Sequence, residues 1–180
     1  MTVTRASALL ESLRAGGDDA GGAKAQLATD SRQGDALRAA VASALAADLR
    51  ATDRAITRWL LEEETAALAA RGVGASEALF TLVAALARFG QPSDALILWR
   101  ARQATAETQE GVDAEQFARA GLAATRAALE ASARGGVAGA GARAALAWLD
   151  EARALGAFDD LPAYFAWSDE RYGITISGPT

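Results

Sequence analysis

The chain contains neither cysteine nor histidine. Without cysteine there is no disulfide, no thiolate ligand and no thiol nucleophile. Without histidine it lacks the commonest general base and the commonest metal ligand. The usual serine triad and the Glu-x-x-His pattern of di-iron bundles are therefore both excluded. Lysine is nearly absent: of eighteen basic residues, only Lys24 is not an arginine. A Ser–Lys nucleophile would have to use Lys24, beside a glycine-rich segment ill suited to holding catalytic geometry. Valine and isoleucine are few, which leaves little to build strands from. No run approaches the ~18 apolar residues a membrane span needs. The opening MTVTRASALLESLRAG has no apolar signal-like stretch and carries Glu11 and Arg14 where one would lie. These absences point to a soluble cytoplasmic protein.

What is abundant is alanine, roughly a quarter of the 180 residues, and alanine loses least on entering a helix. The length suits a single domain spanning 1–180 with a sizeable core. The expected fold is all-α, with seven or eight helices as antiparallel hairpins stacked in a solenoid-like or irregular bundle. Net charge is −5, and the arginines are scattered rather than gathered in a stripe, so no nucleic-acid partner is expected. Codon usage in a GC-rich bacterial genome accounts for Arg, Ala and Gly together.

Helical spacing and capping signals place the elements. Residues 4–15 read as a first helix, followed by a flexible Gly-rich loop, GGDDAGG at 16–22, within an N-terminal segment 1–34. From Asp35 to Arg71 there is no Gly or Pro. One helix of that length would run about 55 Å, longer than the domain is wide, so a break is expected at 51–53, between helices at 35–50 and 53–71. Glu62-Glu63-Glu64 reads as a solvated flank. Ser76 should cap an apolar helix that ends at Gly90, and a proline-initiated helix should cover 93–105 with Trp99 in the core. TAETQEGV (105–112) reads as a polar connection, then a helix at 114–134, a loop at 135–141 and a helix at 142–155. Asp159-Asp160-Leu161-Pro162 reads as a cap opening a helix at 161–171, and 173–180 as an extended tail in which ITIS either adds as a strand or trails.

Leu79, Leu82, Val83, Leu86, Gly90, Ala95 and Trp99 together resemble the helix pair of a tetratricopeptide-type repeat. The glycine lies at the turn, the alanine at the close crossing and the aromatic beyond it. Arg102 stands where that pattern wants a small residue, and no second copy follows at the family's period. The resemblance implies an α-solenoid hairpin and, by analogy of fold alone, a surface that holds a protein or peptide.

No P-loop or dinucleotide fingerprint is present, and GGVAGAG (135–141) lacks the strand and the Lys-Ser/Thr a phosphate loop needs. Adjacent carboxylates such as Asp18-Asp19 or Asp150-Glu151 point about 100° apart on a helix and make no acid–base pair by spacing alone. No catalytic residue, metal ligand or cofactor is therefore assigned. The partner-binding candidates are Arg100, Arg102, Gln103, Gln109, Gln116 and Arg119, whose forks and amides suit a peptide backbone or carboxylate. Trp167 joins them, from a C-terminal cluster holding five of the eleven aromatic residues. The expectation is a non-catalytic protein-interaction or scaffold module; the alternative is a small-molecule-binding helical domain or a carboxylate/Mg-dependent enzyme.

Overall fold

A computed structural model describes residues 2–28, 32–72, 74–136 and 138–177. The far end of the expected tail, and positions 29–31, 73 and 137 within expected loops, lie outside the described residues. Among the described residues the protein is all-helical, with ten α-helices and three short 3₁₀ turns.

The first helix, α1 (Thr2–Ala15), sets Leu9, Leu10 and Leu13 into the core. The expected flexible loop after it is a helix: α2 (Gly17–Leu27). Gly16 and Gly17, both at positive φ, make the sharp turn. Asp18 and Asp19 then sit in the first turn, where the helix dipole favours negative charge. Ala23 and Leu27, one turn apart, are buried. Docking of that face offsets the roughly 1 kcal/mol each interior glycine costs, which local composition does not reveal.

The long uninterrupted stretch divides where expected, into α3 (Arg32–Ala47) and α4 (Arg54–Arg71) with a 3₁₀ turn over Ala51–Asp53 between them. The break is held by more than a cap. Asp53 is fully buried, accepts from the Arg50 amide at 3.0 Å, and takes Arg14 Nε and Nη2 of α1 at 3.0 and 2.6 Å. Gly72 closes α4 in the left-handed region. Ser76 caps α5 (Glu77–Arg88), its hydroxyl accepting from the Leu79 amide at 3.0 Å. Almost every residue of α5 from Ala78 to Ala87 is buried, as its all-round apolar sequence demands.

A 3₁₀ turn at Pro92–Asp94 leads into α6 (Ala95–Arg102). The expected polar connection forms a short helix instead, α7 (Ala106–Gly111), because Thr105 and Thr108 close a reciprocal capping box. The helix expected over 114–134 is split by Gly121 at φ 87° into a 3₁₀ turn, Ala114–Ala118, and α8 (Leu122–Ala133). Next comes α9 (Ala138–Ala154), which starts earlier than expected. Its glycines are packing sites, since a Cβ at Gly139 would lie 2.8 Å from the Ala133 carbonyl and one at Gly141 would touch Trp99. The last helix is α10 (Leu161–Arg171), capped by Asp160 through the Ala163 amide at 3.2 Å.

The closest helix pairings are α8 with α9, α1 with α2 and α3, and α5 with α3 and α4. The tail pairs back across the molecule. Leu49 and Ile176 form one parallel bridge, with the Thr175 amide on the Ala46 carbonyl at 2.8 Å and the Ser177 amide on the Leu49 carbonyl at 3.0 Å. Beside it the Asp48 carboxyl is held down at about 2, first by the Ser177 hydroxyl and then by Arg50.

Glu64 departs most from the sequence reading. The triplet expected as a solvated flank turns Glu64 inward, leaving it and Arg38 each 2% exposed. Arg38 Nε donates to Glu64 at 2.7 Å, its Nη1 donates to the Leu27 carbonyl at 2.7 Å, and its Nη2 pairs with Asp35. The Ser76 hydroxyl donates to the other Glu64 oxygen at 2.6 Å.

Trp99 lies in the core, 8% exposed, with its ring 5.6 Å from that of Trp148, which in turn meets Phe117 edge-on at 5.3 Å. Truncation to alanine should cost about 3–5 kcal/mol in urea unfolding. A loss under ~1 kcal/mol is surface behaviour and would remove Trp99 from the core.

Candidate functional site

The arginines and amides singled out in the sequence separate into different environments. Gln116 and Arg119 lie on the 3₁₀ turn and its end, and both face inward. Gln116 is 3% exposed and donates to Tyr164 Oη at 3.1 Å and Ser168 Oγ at 2.8 Å. Arg119 pairs with Asp169, donates to the Phe165 carbonyl at 3.1 Å and covers the Phe165 ring at 4.3 Å. Tyr164 completes the set by donating to Asp113 at 2.8 Å. Burial, then the Asp113 charge, push the Tyr164 phenol well above its ordinary range. These contacts fasten α10 to the body, so Gln116 and Arg119 are ties within the scaffold and not a partner surface. The sequence reading missed this because their partners lie about fifty residues away on another helix.

Arg102 also turns inward. Its guanidinium sits 4.1 Å from the Trp148 ring centre and 5.5 Å from that of Trp99, a cation–π clamp joining α6 to α9. Burial lowers its pKa, and its Nε has no hydrogen-bond partner. The tetratricopeptide pattern wants a small residue here; this chain fills the place with a cation stacked on tryptophan.

Three candidates are exposed outright: Arg100 and Gln103 at the end of α6, and Gln109 on α7. Trp167 is half-exposed on α10, 5.5 Å from Tyr164. Arg100 lines a concavity. It stands with Ile97 against Glu62, Thr65, Ala66 and Ala69 of α4, around an open groove of about 320 Å³. The α4 residues fall at positions i, i+3, i+4 and i+7, one helical stripe. That spacing was present in the sequence, but four small or polar residues carry no signal until α6 lies alongside them. Among the described residues Arg100 makes no ion pair, while the buried hydroxyl of Thr65 has no hydrogen-bond partner.

A second concavity of about 430 Å³ lies between α2 and α4, lined by Leu13, Ile56, Trp59 and small residues of α2. Lys24, the only lysine, holds its amino group 5.3 Å above the Trp59 ring.

The buried carboxylates belong to the scaffold. Asp53 is bound by Arg14, Glu64 by Arg38, and Asp94 by Arg54 at 2.9 and 2.7 Å with Arg58 at 3.5 Å. Among the described residues no group of three or more acidic side chains is placed to hold a metal ion, and no helix is long and apolar enough to cross a membrane. No family model, curated protein or solved structure matches the chain.

Removal of Arg119 separates a tie from a binding residue. Arg119→Ala should lower stability by about 1–3 kcal/mol, leaving Asp169 with only Arg88, at 3.4 Å, and the Phe165 carbonyl without its side-chain donor. It should also speed amide exchange in α10 ahead of the other helices. An unchanged exchange rate in α10 would contradict the assignment.

Proposed function

We propose that this chain is a non-catalytic interaction module that receives a protein or peptide segment in the groove between α4 and α6. The observation that carries the reading is the groove with Arg100 on its rim. Ile97, Ala66 and Ala69 offer a shallow apolar bed, and Arg100 brings a fork with no carboxylate of its own. An amphipathic segment fits this chemistry, with one apolar side chain on Ile97 and the alanines and a neighbouring carboxylate on Arg100. Glu62, on the opposite helix of the same groove, repels that carboxylate and so sets the direction in which the segment lies. The Thr65 hydroxyl supplies a donor once a rotation about χ1 turns it to the occupant.

The same proposal takes the helices as stacked antiparallel hairpins, solenoid-like or as an irregular bundle, with residues 79–99 of α5 and α6 as the tetratricopeptide-like pair, in a bacterial cytoplasmic protein. The saturation of the buried carboxylates by arginine supports a non-catalytic role, because an acid–base pair needs carboxyl groups free to exchange protons with a substrate. A second reading, a small-molecule-binding domain, is favoured by the α2–α4 concavity alone, whose volume falls in the ~300–1,000 Å³ range of ligand pockets.

Selection from a linear peptide library tests the proposal. Enriched peptides should join an apolar residue to an acidic one. Ala66→Trp, which fills the groove, and Arg100→Glu, which inverts its rim, should each weaken binding by at least ~10-fold with melting unchanged. Peptides that bind both variants as they bind the unaltered chain would overturn the assignment. Loss of binding on Trp59→Ala, with the groove variants silent, would move the site to the α2–α4 concavity.

A further inference from the structure

Beyond α9 the chain leaves Leu155 81% exposed, the most exposed large apolar side chain among the described residues. Arg153 just before it and Phe158 just after it both line an open groove of about 720 Å³, whose other wall is α8 with Leu122, Arg126 and Glu130, and whose end is Leu161. This face shares no residue with the α4–α6 groove. An exposed leucine thus stands, along the chain, between two residues that line the hollow.

The charges on this face follow the same logic. Elsewhere most arginines are bound by carboxylates within the chain. Here Arg126 is taken by Asp150, but Arg153 and Glu130 make no ion pair among the described residues. A cation and an anion on opposite walls of one hollow, both unpaired, complement a surface that carries the same two charges in crossed order. The surface that does so is this one, turned by a two-fold axis: an isologous contact presents the same patch on both sides, so residue i meets residue j and j meets i. A foreign partner would have to reproduce the knob, the hollow and both charges.

We infer that the chain self-associates as a two-fold dimer through the α8–α9 end. Leu155 of each copy enters the other's groove against Leu122, Phe158 and Leu161. Arg153 of each pairs with Glu130 of the other. Glu130 is chosen over Asp159 because the Asp159 carboxylate lies folded over Gly156 of its own turn, whereas Glu130 stands exposed on α8.

Sedimentation velocity on the full chain, from micromolar to submillimolar concentration, tests this. The unaltered chain should pass from monomer to dimer. Leu155→Glu should raise the dimer Kd at least ~10-fold, and because Leu155 is solvent-facing the variant should melt as the unaltered chain does. Arg153→Glu and Glu130→Arg should each be monomeric alone, from like charges meeting twice across the axis. Mixed in equal amounts they should dimerise, because the heterodimer restores both crossed pairs. A chain that stays monomeric at every concentration would overturn the inference. So would a dimer indifferent to Leu155→Glu, or a mixture of the two charge variants that fails to associate.

Discussion

The Arg38–Glu64 pair is the interaction on which the arrangement of α2 to α5 depends. Two charges taken out of water cost several kcal/mol each unless every lone pair and proton is met. Here they are met by four separate elements. Arg38 belongs to α3 and Glu64 to α4; the Leu27 carbonyl that Arg38 reaches ends α2; and the Ser76 hydroxyl on Glu64 caps α5. The cap is shared, since Ser76 donates to Glu64 and accepts from the Leu79 amide. Moving any one helix by a turn would leave a buried charge without its partner. The pair therefore fixes relative position, where apolar contacts between alanine-rich helices would allow sliding.

That device recurs. Alanine surfaces are smooth and interchangeable, so burial alone sets register poorly. Arginine forks supply the missing specificity across long sequence separations: Arg14 on Asp53 joins α1 to the α3–α4 break, Arg54 on Asp94 joins α4 to the start of α6, and Arg119 on Asp169 holds α10. Arg102, stacked on Trp99 and Trp148, does the same for α6 and α9 with aromatic faces in place of carboxylates. Arg100 at one groove, and Arg153 and Glu130 at another, take no part in these ties and line open surface. The proposed groove and the proposed two-fold face draw on charges left over from an arrangement largely used in building the fold.

This division explains what was legible in the sequence. The helical class, the break at 51–53, the end of the following helix at 71, the Ser76 and Asp160 caps and the burial of Trp99 all follow from local chemistry and were read correctly. The glycine-rich α2 and the polar α7 were read as loops. The first is held by packing on α1 and α3, with Ala23 and Leu27 buried; the second by a reciprocal Thr105–Thr108 capping box inside a segment read as a polar connection. Glu64 was placed in solvent because nothing within a helical turn distinguishes it from Glu62 and Glu63. Its partner is twenty-six residues away. Among the candidate site residues, Arg100 and Trp167 carry the exposure expected of them, whereas Gln116, Arg119 and Arg102 have partners that only the assembled fold brings near.

A double-mutant cycle on Arg38 and Glu64 tests the central claim most directly. With Arg38→Met and Glu64→Leu measured singly and together by urea unfolding, each single change should cost about 3–5 kcal/mol, because it strands the other charge in the core. The double change should cost well under the sum, with a coupling of about 2 kcal/mol or more. Additive losses, or single losses near the ~0.5 kcal/mol of a surface substitution, would show that the two charges do not hold the helices in place.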